Sequence, residues 1–429
     1  MKRNLAYYDI DPKLVPAGEP VLLTIAPLGE HTAFRDGTYT VVITATEEDQ
    51  AEAELLWPTQ TVQARDGKLQ LTLTFRGEQE FYLSIFAPGE LAQPRTRLSV
   101  FSMERDLYER RPYRGDLHVH SSHSHDGLES PGYLAGSYRK AGYDFIAITD
   151  HGTMSGSLEG IRICRSLPTD FLVLPGEEVH PPENHIHTVH IGGHTSVNDT
   201  FRSDEEGYRS AVEQMRLHSD IPQGANAFEY ASCLLTYKTI QDCGGMSILV
   251  HPYWQPDAYH MPRSMLEGLF DLAAFDAFEV LGGHEAPFNN MQTAFYQQRR
   301  SQGQHIPIVG SNDSHGTEDI WRFNWYSTIV LARELSPDGI REAILSGMSA
   351  AVEHYPNERP RVYGEMRMVR LVLFLLKEYF PLHDELCVEE GIQLKRGAMG
   401  SREAKQVLQV LQGRTGRLLA HLYEGTELE

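Results

Sequence analysis

From about Pro20 to Met103 apolar and polar residues alternate with a period of two. Leu69, Leu71, Leu73 and Phe75 fall on one side of such a run and Gln70, Thr72 and Thr74 on the other, and Phe81, Leu83 and Ile85 repeat the pattern, which predicts half-buried strands. Asp36-Gly37 and Asp66-Gly67 interrupt these runs where hairpin turns need residues tolerant of positive φ. Short strands in series predict a small all-β sandwich over residues 1–108, an accessory domain. After the charged segment Glu104 to Arg114 the texture changes. FIAIT from Phe145, FLVLP, VHIGG, MSILV, AFEVL and HIPIVGS are apolar runs too continuous for a sheet with one wet face, and helical stretches separate them. Ser130-Pro131 and Ser336-Pro337 read as helix starts, Gly142 and Gly347 as stops. Repeated βα units over residues 109–355 predict an α/β barrel. Helices from about Tyr363 to Phe380 and from Ser401 to about Gln412 predict a C-terminal appendage over residues 356–429, apolar around much of its circumference and suited to docking on the barrel or on a second copy in a homo-oligomer.

Composition narrows the function classes. A chain of 429 residues, 41% hydrophobic and 23% charged, is that of a soluble multidomain protein. The N-terminal MKRNLAYYDI has no apolar core behind its basic residues, and no uncharged run approaches membrane-spanning length, so the expected address is cytoplasmic, without a membrane partner. Four cysteines, Cys164, Cys233, Cys243 and Cys387, show neither CxxC spacing nor disulfide density and read as free thiols. A formal net charge of −21 opposes a nucleic-acid polymer as partner, since affinity for such polymers comes from basic side chains neutralising phosphates. It does not oppose a small phosphorylated substrate, because bound cations reverse the local field.

The chemistry lies in the placement of the histidines. Gly115-Asp116-Leu117-His118-Val119-His120 is followed within a few residues by His123, His125 and Asp126. Two residues apart on a strand share a face, so His118 and His120 can grip one cation. Ile148-Thr149-Asp150-His151-Gly152 delivers an acid and a histidine at the C-terminal end of an apolar strand, the rim where barrel active sites sit. Pro175-Gly176-Glu177-Glu178, the histidines His185, His187 and His190, Val250-His251-Pro252, and Ser311-Asn312-Asp313-Ser314-His315 follow or end further apolar runs. Five strand ends carrying imidazole or carboxylate point to a metal site. Imidazole and carboxylate together suit zinc, manganese and iron alike. Arg322, in WRFNW, is the first candidate clamp for an anionic oxygen and Arg263 the second. His284, in GGHE after AFEVL, sits where it could donate a proton to a leaving group. Tyr253, Trp254, Trp321 and Trp325 could wall a substrate or simply pack.

The order DLHVH, ITDHG, PGEE, HTVHIGG, VHP and SNDSH resembles the PHP (polymerase and histidinol phosphatase) superfamily over about His118 to His315. The resemblance implies a distorted (β/α)7 barrel holding two or three divalent ions. By position it implies His118, His120 and Asp313 at a first metal, Glu178 bridging to a second completed by His190 and His251, and Asp126, His151 and His315 at a third. His125 competes with Asp126, Glu177 with Glu178 and His187 with His190. The preceding β-domain is similar to the branch that includes carbaryl-type carbamate hydrolases. The leading expectation is an enzyme, a phosphoesterase acting on a small phosphorylated metabolite by attack of a metal-bridging hydroxide. The alternatives are a carboxylic ester, carbamate or amide hydrolase using the same site, and a metal-stabilised binding protein without turnover.

Overall fold

The computed structural model describes residues 7–90, 92–318 and 323–425. The chain divides into two units. One comprises the described residues up to Arg111 with Val369–His383 and those from Gly413 onward; the other comprises Pro112–Met368 and Asp384–Gln412. Residues 356–429, expected as one appendage, are therefore shared between the two.

In the first unit a three-stranded sheet is ordered Tyr8–Asp11, Pro20–Pro27, Leu69–Thr74, and a five-stranded sheet Leu14–Pro16, Thr96–Met103, Gln79–Phe86, Thr38–Ala45, Gln60–Gln63. Along Leu69–Thr74 burial alternates strictly, so the polar positions of the sequence pattern are the exposed ones. Leu23, Ile25 and Leu71 of one sheet and Ile43, Phe81 and Leu83 of the other enter a single apolar core. Asp66 and Gly67 both have positive φ, and Arg65 and Lys68 exchange backbone hydrogen bonds around them, the two-residue turn that the Asp-Gly pair predicts. Lys13 is buried but matched, 2.6 Å from Asp9 and 3.1 Å from Glu378, as a charge removed from water must be.

The second unit is α/β. Its six-stranded sheet runs Leu172–Leu174, Phe145–Ile148, Arg111–Val119, Tyr326–Ala332, Ser349–Glu353, Arg361–Tyr363, and its five-stranded sheet Gly176–Val179, Thr188–Gly192, Gly245–Leu249, Ala277–Leu281, Ile308–Gly310. The expected uniform βα alternation is broken at two places. FLVLP and PGEE do not form one strand: Leu172–Leu174 belongs to one sheet and Gly176–Val179 to the other, with Pro175, which has no N–H to donate, at the switch. Thr188–Gly192 is antiparallel to both neighbours, because the loop from His180 to His187 is shorter than the roughly dozen residues a parallel crossover needs. Single-residue bridges, Val119 to Ser314 and His151 to Glu178, join segments of the two sheets at the end where the polar side chains gather.

Helices pack around these strands as their end signals predict. Pro131–Lys140 follows Ser130 with proline in its first turn, and Ser336 caps Pro337–Leu345 by accepting from Gly339 N. The helix Phe380–Ala398 closes against Pro131–Lys140 through glycines: a Cβ on Gly391 would lie 2.1 Å from Lys140 N and 2.6 Å from Gly136 O. Arg139, fully buried, fixes that contact by pairing with Asp144 at 2.9 Å and Glu390 at 2.8 Å. Among the described residues no helix is long and apolar enough to cross a membrane.

Candidate metal centre

The strand Arg111–Val119 and the residue after it bring His118 and His120, both fully buried, to one rim. His118 Nε2 lies 3.3 Å from Asp313 Oδ1 and 3.5 Å from Glu178 Oε2; His120 Nε2 lies 3.1 Å and 3.5 Å from the same two oxygens. Asp126 Oδ2 is 3.2 Å from both His151 Nε2 and His315 Nε2. Glu178 is at the middle, fully buried, and its oxygens face different ways. Oε2 is turned to His118, His120 and His151, whose Nδ1 is 2.7 Å away; Oε1 is 2.7 Å from His187 Nδ1 and 3.3 Å from His251 Nε2. Sets of donor atoms close enough to hold one ion are His118, His120 and Asp313; His118, Glu178 and His251; His120, Asp126, His151 and His315; and His151, Glu178, His180 and His187.

Supporting side chains set the directions of these rings. Glu279 Oε2 is 3.1 Å from His118 Nδ1, which leaves Nε2 aimed at the cluster, and Glu279 Oε1 accepts from His251 N at 3.2 Å. Asp116 accepts from His118 N, Tyr138 OH and the Asn312 amide, so one buried acid orients the histidine strand and the Asp313 loop together. Burial pushes its carboxyl up to about 6. Asp150 touches no imidazole cluster; it accepts from Ser121 N and Oγ at 2.6 and 2.7 Å and holds the loop that carries Asp126. His260 Nε2 accepts from His187 N at 3.1 Å. His251 (φ 28) and Asp313 (φ 47) sit in the left-handed region, strain that concentrates where side-chain direction matters.

The electrostatics call for a cation. Burial, the largest influence, would raise the Glu178 carboxyl, but the His187 and His118 imidazoles hold it well below the usual range, and His118 and His120 do the same to Asp313. Burial drives His120 and His187 down to about 4, leaving neutral rings with free lone pairs. A cavity of about 200 Å³ opens over the cluster, lined by Asp126, His151, Glu178, His187, His251, Trp254, His284, Asp313 and His315, without lysine or arginine among its described residues. His118 Nε2 and Glu178 Oε2 are buried and lack a hydrogen bond of acceptable geometry within the described chain. Buried acids held ionised, neutral rings at His120 and His187, and orphaned ligand atoms at one point, with the same acids raising His118 and, to about 9, His151 against the opposing effect of burial, are donor chemistry that a divalent ion would satisfy.

Most of the sequence-selected residues meet here, but not all. His190 does not: it lies opposite Glu177 in the strand pairing, with Nδ1 3.1 Å from Glu177 Oε1 and Nε2 3.6 Å from Cys243 Sγ. The same register places Glu178 opposite Val189, so His187, two residues earlier, shares its side and takes the position expected of His190. Arg322 and Trp321 lie outside the described residues. Arg263 is bound to Glu267 on an exposed helix turn, away from the cavity lining. His284 is where it was expected, at the rim, with Nε2 3.4 Å from Asp313 Oδ2 and its ring stacked on Trp254. His125 is largely exposed, 3.7 Å from Asp126, while Asp126 faces the cluster. Sequence reasoning missed Glu279, His180 and His260. An acid inside AFEVL was a signal for the first, and the spacing of two from Glu178 for the second; His260 offered none.

Residues 116–284 match the PHP domain family. A DNA polymerase/3'-5' exonuclease PolX of Bacillus subtilis is 37% identical over 81 residues, 18% of this chain and 14% of that protein, so the chain spans only a small part of that relative's length. An uncharacterized protein of Methanocaldococcus jannaschii is 25% identical over 181 residues, 40% of this chain and 82% of that protein. Among solved structures, a two-domain protein from Bacteroides vulgatus containing a predicted PHP-like metal-dependent phosphoesterase aligns at 19% identity and TM-score 0.40, over 57% of this chain and 66% of that one.

Proposed function

We propose, from the match of residues 116–284 to the PHP domain family, that the chain is a metal-dependent hydrolase and that it cleaves the phosphoester of a small phosphorylated metabolite. The observation that carries the reading is the divided carboxylate of Glu178, one oxygen toward His118 and His120 and the other toward His187 and His251. In this proposal His118, His120, Glu178 and Asp313 hold one divalent ion, Glu178, His187 and His251 a second, and Asp126, His151 and His315 a third. The chemistry that such ions supply when bound is activation of water near neutral pH and polarisation of the ester under attack. The protein's own groups do the rest. Glu279 fixes the tautomer of His118, Asp116 sets the Asp313 loop, and Trp254 forms an apolar wall that orients the group beside the scissile bond. His284, at the rim and steered by Asp313, holds the proton for the departing alkoxide.

The proposal includes the distorted (β/α)7 arrangement for residues 109–355, an accessory β-sandwich over residues 1–108 and a cytoplasmic address. It keeps a nucleic-acid polymer out of the site on the argument of a net charge of −21. A second reading, hydrolysis of a carboxylic ester, carbamate or amide, draws on the cavity lining, whose described residues offer no guanidinium or ammonium to a phosphate. One experiment separates them. The protein loaded with zinc, manganese or iron is assayed against a panel of phosphorylated metabolites and a panel of nitrophenyl esters and carbamates. Phosphate release that is lost, together with bound metal, in His118→Ala and Asp313→Ala supports the first reading; ester turnover without phosphate release overturns it.

A further inference from the structure

Glu177 and His190, both turned away from the metal cluster, form a second constellation with Cys243. His190 Nδ1 is 3.1 Å from Glu177 Oε1, and His190 Nε2 is 3.6 Å from Cys243 Sγ. Glu177 is fully buried and firmly held: it accepts from the Ser196 hydroxyl and Val197 N at 2.6 Å each and from the Asn198 amide at 2.8 Å. With those donors it remains an anion that holds the His190 Nδ1 proton and leaves Nε2 facing sulfur. Cys243 caps the helix Ala227–Asp242 and is partly exposed, whereas Cys164, Cys233 and Cys387 are buried. Its thiol also lies 3.1 Å from the Ile240 carbonyl, an acceptor for the S–H, while, against the opposing effect of burial, the facing His190 imidazole lowers the thiol. The surrounding glycines make the approach close. A Cβ on Gly193 would stand 2.5 Å from His190 Nε2 and 3.0 Å from Cys243 Sγ, and one on Gly245 would stand 2.3 Å from the same nitrogen. The glycines of VHIGG and of the Cys243-Gly244-Gly245 run thus admit the imidazole to the thiol.

We propose that Cys243, with His190 as its proton partner and Glu177 fixing the orientation of His190, is a modification site for small hydroperoxides. The thiol proton passes to His190 Nε2. The thiolate sulfur attacks the terminal peroxide oxygen, an S–O bond forms as the O–O bond breaks, and the sulfur is oxidised by two electrons while the peroxide is reduced. The proton on His190 goes to the departing alkoxide, so the products are a sulfenic acid and an alcohol. A nucleophile, a base and an anion that orients the base are the parts of an activated thiol, and the metal site needs none of the three.

The test uses the full chain loaded with metal. Each cysteine is followed by peptide mass spectrometry during iodoacetamide labelling at pH 7, and a second sample is treated with hydrogen peroxide and dimedone to trap sulfenic acid. Cys243 is expected to label about tenfold faster than free cysteine and to be the peroxide-dependent dimedone site. His190→Gln is expected to slow its labelling by about tenfold with bound metal unchanged; Glu177→Gln serves in its place if that variant does not fold, and the two wild-type measurements stand without either. Labelling of Cys243 no faster than free cysteine, an unchanged rate in a folded His190→Gln protein, or no dimedone adduct at Cys243 overturns the proposal.

Discussion

His187 and His190 belong to the same run of sequence, and their removal should have opposite consequences. In His190→Ala, Glu177 loses one partner but keeps Ser196, Val197 and Asn198. The loss is one hydrogen bond to a charged group, about 1.5–3 kcal/mol, plus the cavity left by a buried ring. A fall of about 3 kcal/mol corresponds to roughly 6–12 °C in the thermal midpoint of a domain of this size, with metal binding retained. In His187→Ala the partner lost is the 2.7 Å contact to Glu178 Oε1, at the lining of the cavity. Loss even of a group that merely orients a metal ligand weakens binding about 10–100-fold, so loss of a donor should weaken it at least about 100-fold, with a smaller change in the midpoint of the metal-free protein. Competition with a chromophoric chelator gives the affinities, and calorimetry of the metal-free variants gives the midpoints. If His190→Ala loses metal as readily as His187→Ala, the strand register and the assignment built on it are wrong.

Three further outcomes follow from the same geometry. Glu178→Gln removes the charge on which six imidazoles converge, and both bound metal, by elemental analysis, and turnover should fall by about 100-fold or more; a variant that retains its metal would contradict the bridging role. Burial pushes the Cys164 and Cys233 thiols up from 9.0 to about 12. A raised folded pKa means that the folded state holds the proton longer, so stability present below pH 9 is lost as pH rises from about 9 toward 12, by about 1.4 kcal/mol per unit for each thiol; the midpoint should fall less steeply with pH in Cys164→Ala/Cys233→Ala than in the wild type, and equal slopes would refute the argument. Gly283→Ala places a Cβ 1.6 Å from the Asn312 carbonyl oxygen, on the residue before the proposed ligand Asp313; soluble yield and midpoint should both drop sharply, and a variant as stable as the parent would contradict the packing at this turn.

What was legible in the sequence is what depends on one strand at a time. The HxH spacing put His118 and His120 on one side because successive residues alternate, and each apolar run announced that its polar end would lie at a rim. What was not legible depends on two strands at once. The spacing from Gly176 favoured Glu178 over Glu177, but which histidine faces which acid waits on the antiparallel register with Thr188–Gly192, which sends Glu177 with His190 to one side and Glu178 with His187 to the other. A run read as parallel gave no such pairing, and the family resemblance favoured the histidine inside the apolar VHIGG over the one in the loop before it. Pro175 was read as the end of a strand, which it is, but that the chain changes sheets there depends on which edges remain to be paired. Glu279 was overlooked because AFEVL scores as a core strand, yet an unpaired acid in such a strand would be expensive, and its presence required a partner of the kind His118 provides.

The two residues with strained backbone in the cluster, His251 and Asp313, each follow a strand whose neighbour supplies the restraint. His251 N donates to Glu279, and the segment before Asp313 is gripped by Asn312, whose side chain donates to Asp116 and Tyr143 and accepts from the Trp325 and Tyr326 N–H groups. Positive φ in residues with a Cβ costs about 1–3 kcal/mol each and survives only where the surroundings over-determine it. Here they do so with a buried acid, Asp116, that touches the His118 backbone as well, so a single carboxylate couples the direction of the histidine strand to that of the Asp313 loop. The proposed metal ligands are thus oriented by bonds to backbone and to Asp116, Glu279 and Asn312, groups outside their own donor sets. The cost of the strained backbone at His251 and Asp313 therefore falls on the folding of the α/β unit.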